Sequence, residues 1–178
     1  MIFKPLFTQK QVEKILQAKK EKFEHTLIMF LASAGENFVS HARRNGEYQN
    51  WTGNLRSSIG YVVINQGQVA VSGNFEAFAQ SPKVKLVSFT VKKGKYAGKK
   101  VEFYSQTKGG DGSEGQKKGQ MLLDALIAKY QTGMVLIGLV GMEYGKYLEA
   151  MGKDVIKGAI LNTEYFIKQR KQSFFNTI

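Results

Sequence analysis

The sequence predicts an α+β fold in which a long amino-terminal helix and carboxyl-terminal helices pack on a small antiparallel sheet, with an inserted basic β-hairpin. The apolar pattern changes from helical spacing to strand alternation and back, in the order helix, strands, helix, strand, helices. This order lacks the regular alternation of strand and helix that is typical of parallel sheets. The 178 residues, 43% of them hydrophobic, suit one core, so we predict a single domain over residues 1–178.

Residues 8–44 are predicted to form one long helix, because apolar residues recur there at three- and four-residue spacing with Lys and Glu between them. Thr8 and Gln11 have the capping-box spacing of a helix start. Gly35 lies inside this helix. It either weakens the helix or lets another backbone approach closely.

The strands of the sheet are predicted from alternation and from a nearly continuous apolar run. Residues 58–64 and 68–72 alternate around a tight turn, which predicts a β-hairpin. Residues 135–140 are almost entirely apolar and are expected to form the central strand. Three further helices are predicted over residues 120–130, 144–151 and 155–172.

Residues 76–115 are interpreted as an insertion that contains a basic hairpin and a flexible glycine-rich loop. Two runs typical of strands, 84–91 and 100–104, flank a segment of lysine and glycine. Seven lysines and no acid lie between positions 83 and 100: Lys83, Lys85, Lys92, Lys93, Lys95, Lys99 and Lys100.

These lysines allow three interpretations. They neutralise the phosphates of a nucleic acid while nearby aromatic residues stack on its bases. In the second interpretation they contact an acidic protein surface. In the third they form a solvated face whose alternate lysines keep an edge strand from aggregating. The prevalence of Lys over Arg favours non-specific attraction over the reading of base edges.

Composition narrows the class of protein further. The net charge of +12, from 26 basic and 14 acidic residues, favours a polyanion or an acidic protein as partner. The chain has no cysteine, which excludes disulfides and thiolate metal sites. The longest apolar run, residues 134–142, is about half of the roughly 20 residues that a membrane span needs, so no membrane partner is expected.

No residue pattern supports catalysis, a cofactor or a metal, so we predict that the protein is not an enzyme. Residues 110–115 match G-x-G-x-x-G, but two acids inside this loop would repel a pyrophosphate. His25 and His41 are too far apart in one helix to share a metal ion. Ser57 and Ser58 lack the surroundings of a nucleophile elbow.

Two short motifs resemble those of a known family. Residues 52–59 read TGNLRSSI, and residues 140–152 read VGMEYGKYLEAMG. They are similar to the "TGNLR-S-I" and "YA-YVE-G" signatures of the tail-completion, or head–tail connector, proteins of long-tailed bacteriophages and prophages. Gly152 comes one residue late in the second motif. The resemblance covers residues 8–75 and 130–172 and omits the insertion.

The resemblance implies a structural virion protein of the phage neck or tail, assembled in the host bacterial cytoplasm. Family members form homo-oligomeric rings, commonly hexamers, between the portal-side connectors and the tail tube, with DNA passing through the lumen. The implied partners are neighbouring connector and tail-tube proteins, with non-specific DNA contact in the channel. The implied fold, a small antiparallel sheet backed by helices, agrees with the prediction from the residues.

Two hypotheses about the insertion follow. The hairpin is an arm that reaches a neighbouring subunit or a tail protein by edge pairing, or its lysines line the DNA channel. A competing function, from a different class, is a monomeric basic protein that binds nucleic acid without sequence specificity.

The segment after the long helix is interpreted as a hinge that assembly depends on. Trp51, the only tryptophan, is expected to cover the seam between helix and sheet or to reach a neighbouring subunit. Asn54 follows Gly53 and suits a turn. Arg56 is expected to anchor the start of the strand to an acid, on its own chain or the next. Together with the second motif, the candidates for a hinge or subunit interface are Trp51, Asn54, Arg56, Tyr144, Tyr147 and Glu149.

Overall fold

The structure, a computed structural model, describes residues 8–106 and 108–177. The helices are α1 (Gln9–Asn45), α2 (Asn54–Ser57), α3 (Ser113–Lys129), α4 (Gly145–Ala150) and α5 (Lys157–Thr177). The strands are β1 (Ile59–Asn65), β2 (Gln68–Ser72), β3 (Val84–Thr90), β4 (Lys100–Gln106) and β5 (Met134–Val140). The predicted α+β class is confirmed, with long first and last helices and small antiparallel sheets.

The main sheet has three antiparallel strands in the order β2-β1-β5, so β1 is central and β5 lies at an edge. The expectation that residues 135–140 form the central strand is therefore wrong. A strand covered on both faces reads as a continuous apolar run wherever it lies in the sheet, and the pattern does not report its neighbours. In β1, Ile59 to Ile64 are all buried, because helices cover both faces of this strand.

The helices form two layers around this sheet. Helices α1 and α5 cover one face, where Phe38, Tyr61 and Val155 belong to the larger apolar cluster. Helix α3 covers the other face through Leu123, which packs in a second cluster with Val62, Ile64, Phe75 and Leu139. Alternate residues of β1 therefore belong to different cores.

Helix α1 starts as predicted, with the side chain of Thr8 accepting from the amide of Gln11 and the capping box complete. At 1.5 Å per residue its 37 residues span about 55 Å. Helix α5 runs antiparallel to α1, and Phe174 contacts Phe23 and Phe30. The preceding turns of α1 are exposed. They project beyond the body of the fold.

The close approach expected at Gly35 is made by a side chain rather than by a backbone. The ring of Tyr61 lies against Gly35, where a Cβ atom would overlap it. The hydroxyl of Tyr61 donates to Glu36 Oε1 at 2.9 Å. This packing joins the middle of α1 to the centre of β1.

The glycine-rich segment at the end of the insertion is packed, which differs from the predicted flexible loop. Helix α3 begins at Ser113, seven residues before the predicted start at 120. Cβ atoms at Gly112 and Gly115 would overlap Ser57 Oγ and the backbone of Asn54, respectively. These glycines are needed because the segments pack too closely for a Cβ atom, whereas glycine-rich composition had suggested a mobile loop.

Candidate functional site

The first motif folds into a tight turn around two buried hydroxyl groups. Gly53 precedes α2 with φ +81°, and a Cβ atom there would overlap the carbonyl oxygen of Phe78. Ser57 Oγ donates to the Gly53 carbonyl at 2.9 Å and accepts from the Phe78 amide at 2.8 Å. Ser58 Oγ donates to the Leu55 carbonyl at 2.8 Å. Both serines are fully buried, so their hydroxyls satisfy backbone groups that water cannot reach.

The second motif meets the first at this turn. The Gly141 amide donates to the Ser58 carbonyl at 2.9 Å, and the Met142 amide donates to Ser58 Oγ at 3.3 Å. Burial raises the pKa of the Tyr144 hydroxyl, which lies near the Thr52 side chain. Residues 52–58 and 140–145 therefore form one structural unit, which we call the junction.

Three of the predicted hinge residues make contacts inside the chain. Asn54 Nδ2 donates to Glu114 Oε2 at 2.9 Å, which joins the junction to the start of α3. Arg56 lies next to the hydroxyl of Tyr48, which donates to the Ala42 carbonyl at 3.4 Å. Glu149 Oε2 accepts from the amides of Val155 and Ile156, each at 2.9 Å, just before α5.

Trp51 and Tyr147 lie on the surface beside the junction. Trp51 is 58% exposed and its indole Nε1 donates to Gln49 Oε1 at 2.6 Å. The expectation that Trp51 covers the seam between helix and sheet is therefore wrong. Tyr147 is 61% exposed, with the Lys146 ammonium 5.0 Å from its ring centroid. Of the six predicted residues, these two present the largest accessible aromatic surface.

Arg43 anchors the start of the strand, a role that the sequence had suggested for Arg56. Its guanidinium donates to the carbonyl oxygens of Ile59 at 2.9 Å and Asn74 at 3.3 Å. It also pairs with Glu76 at 3.3 Å and lies 5.0 Å from the ring centroid of Phe78. Burial lowers the pKa of Arg43, and the nearby Glu76 opposes this shift. The sequence could not have predicted this role, because nothing in the spacing around Arg43 distinguishes it from other arginines in the last turn of a helix, such as Arg44.

The predicted basic hairpin is present as a separate two-stranded sheet of β3 and β4. We call this hairpin, residues 84–106, the ribbon. In the described part of the chain no other helix or strand has more than marginal contact with it. Its base is fixed to the body by the Gln80–Gly110 bridge, with amide–carbonyl distances of 2.7 and 3.0 Å.

The lysines collect at the end of the ribbon rather than alternating along its strands. Within the strands only Lys85 and Lys100 occur, and Lys100 pairs with Glu102 at 2.6 Å. Four others, Lys92, Lys93, Lys95 and Lys99, lie in the connection between β3 and β4, and Lys83 precedes β3. The interpretation of alternate lysines protecting an edge strand does not fit this arrangement.

One face of the ribbon is apolar and uncovered. The register pairs Val87 with Phe103 and Phe89 with Val101, which places all four on the same face. The rings of Phe89 and Phe103 meet edge to face, 6.5 Å between centroids, and each remains about half exposed. The ribbon therefore combines an exposed apolar face with a strongly basic end.

Two kinds of site, a metal-binding cluster and a membrane-spanning helix, were searched for among the described residues. Across residues 8–106 and 108–177, no group of three or more His, Asp or Glu side chains is positioned to hold a metal ion. None of the helices in those ranges is both long and apolar enough to span a bilayer.

Comparison of the chain with protein-family models, with curated proteins and with solved structures finds no match.

Proposed function

We propose that this protein is a ring-forming subunit of the phage neck or tail, a tail-completion or head–tail connector protein around the DNA channel. The observation that carries this proposal is the ribbon. An isolated two-stranded hairpin is at best marginally stable in water. A hairpin with exposed Phe89 and Phe103 gains stability when another surface covers it, which favours a protein built to assemble.

The junction supports the same proposal. The two motifs that resemble the connector family are 84 positions apart, between Ser58 and Met142, yet they share direct hydrogen bonds. A contact of this kind gives a physical reason for both motifs to occur in one chain, because each completes the other. Trp51 and Tyr147 beside it are available for a neighbouring subunit.

The experiment is native mass spectrometry of the full chain over a range of concentrations, with electron micrographs of the same samples. We expect closed rings, most simply hexamers, in equilibrium with folded monomer. A chain that stays monomeric at all concentrations contradicts the proposal.

A second candidate function, monomeric and non-specific binding of nucleic acid, is favoured by the charge at the ribbon's end. The ribbon and the preceding Lys83 carry seven lysines and one acid, Glu102. A gel-shift salt series with duplex DNA separates the two functions. Tight binding by a monomer that weakens steeply with salt supports the second candidate. Ring formation without such binding supports the connector.

A further inference from the structure

Strand β5 is an edge strand without the usual protection. Natural edge strands carry charged residues, prolines or bulges that prevent pairing with other chains. Residues 134–140 read MVLIGLV, with no charge and no proline, and β5 pairs with β1 over its full length without a bulge. In the described part of the chain no strand pairs with the outer edge of β5.

Apolar grooves flank this edge on both faces of the sheet. On the side of α1 and α5, a cavity of about 350 Å³ lies between Phe38, Ile160 and Ile167. On the side of α3 and α4, a cavity of about 810 Å³ lies between Leu122, Leu126 and Val155. The middle of β5, at Ile137 and Gly138, lines both. A strand added at this edge would place alternate side chains into the two grooves, so it needs apolar side chains on both of its faces.

Strand β3 carries apolar side chains on both faces. Val84 and Leu86 point to one face of the ribbon together with Ser88 and Thr90, and Val87 and Phe89 point to the other together with Lys85. Its length of seven residues equals that of β5. Among the described residues, β3 is paired at one edge only, with β4. Apolar side chains on both faces are typical of a strand in the interior of a sheet, not of a free hairpin.

We propose that β3 of one copy of this chain pairs with the outer edge of β5 in a second copy. The combined sheet then has the order β2-β1-β5-β3-β4, with the last two strands from the neighbour. Donor edge and acceptor edge are different surfaces, so the contact is heterologous, and it closes a ring when the rotation between neighbouring copies is a whole fraction of a turn. This inference rests on the proposed ring-forming function and specifies its interface.

The opposite edge of the sheet is a poor acceptor. The pairing of β2 with β1 shifts register between Val63 and Ile64, and such an irregularity bends an edge away from regular pairing. Strand β2 is exposed along most of its length and includes Gln68 and Ser72. Of the two edges of the main sheet, that of β5 is therefore the better-formed acceptor.

The first test changes each surface separately and reads ring formation by native mass spectrometry. Val87→Asp places a charge on the donor strand, and Ile160→Lys places one on the exposed rim of the acceptor groove. Both lie outside the buried core, so we expect folded monomers with unchanged melting temperature and loss of rings. The matched controls are Ser105→Lys on β4 and Leu161→Lys, the next residue on α5, and both should retain rings.

The second test uses the absence of cysteine in the chain. Val87→Cys and isotope-labelled Ile137→Cys chains are mixed and treated with a short bismaleimide, whose reach tolerates differences in register. We expect a mixed covalent dimer, and much less of it when Leu161→Cys replaces Ile137→Cys. A chain that carries both cysteines and is linked within a monomer would show that the ribbon folds back on its own β5, which overturns the inference.

The outcomes separate the inference from the function it rests on. Rings that survive both Val87→Asp and Ile160→Lys contradict the inference and leave the ring-forming function intact. A wild-type chain that never assembles contradicts the function, and the interface with it.

Discussion

At the scale of single residues, two serine hydroxyls hold the junction together. Ser57 and Ser58 each donate to a backbone carbonyl within their own turn and accept from an amide elsewhere in the chain. A buried amide left without an acceptor costs about 1–3 kcal/mol, so serine is difficult to replace at either position. Backbone geometry and buried hydrogen bonds therefore explain the glycine and the two serines of the TGNLRSS motif.

Ser57→Ala should lower the free energy of unfolding by about 1–3 kcal/mol, because the Phe78 amide loses its acceptor. Denaturant unfolding of the monomer measures this change. Ser88→Ala on the exposed ribbon is the control and should change stability by less than about 0.5 kcal/mol. Equal effects in the two variants would contradict this role of Ser57.

Trp51→Ala should leave the stability of the monomer within about 0.5 kcal/mol of wild type, because the side chain is exposed and bonds only locally. If Trp51 reaches a neighbouring subunit, the same variant weakens ring formation. Unfolding and native mass spectrometry on one sample distinguish the two effects. A large loss of monomer stability would mean that Trp51 does cover the fold.

Tyr61 makes stability depend on alkaline pH. Burial and the hydrogen bond to Glu36 raise the pKa of Tyr61 in the folded state. A raised folded pKa stabilises the fold fully below the unfolded pKa of about 10, and this contribution is lost as pH rises above that value. Tyr61→Phe should therefore show a smaller decrease in unfolding free energy between neutral pH and pH above about 10. Identical pH profiles would contradict the assignment.

At the scale of elements, two carboxylates hold the start of α5. Glu149 accepts from the Val155 and Ile156 amides, and Asp154 Oδ1 accepts from the Gly158 amide at 2.9 Å. Negative charge at this end of a helix is also favourable to its dipole. These acids thus satisfy backbone amides at the start of α5.

Glu149→Ala should reduce the unfolding free energy by about 1–3 kcal/mol, since two amides lose their acceptor. Glu149→Gln, which keeps an acceptor oxygen, should have a smaller effect. The control is Glu164→Ala on α5, whose exposed pair with Lys168 contributes less than about 1 kcal/mol. Thermal unfolding of the three variants ranks their losses of stability. A loss in Glu164→Ala as large as that in Glu149→Ala would contradict this role of Glu149.

The elements that the sequence predicts well are those with local signals. The Thr8 capping box, the two hairpins and the long helices follow from spacing within short windows. The edge position of β5, the packed glycines before α3 and the anchoring role of Arg43 depend on contacts between distant segments. No pattern within one segment reports such contacts, so these features could be found only in the folded chain.

At the scale of the whole molecule, the central strand β1 is buried, whereas apolar surface stays uncovered at the β5 edge and on the ribbon. The sheet ends at an unprotected apolar edge, and the ribbon carries apolar residues that nothing in the described chain covers. Contact between copies of the chain would bury both apolar surfaces, which explains why they are exposed in a single copy. The basic residues at the ribbon's end would then add positive charge around the assembly, which suits a channel that holds DNA without reading its sequence.

The most direct test of this account is the mass of the purified full chain in solution, measured by native mass spectrometry as concentration increases. We expect one closed oligomer of defined copy number, most simply six, that appears as a ring in electron micrographs. A monomer at every concentration, with the ribbon intact, would contradict it.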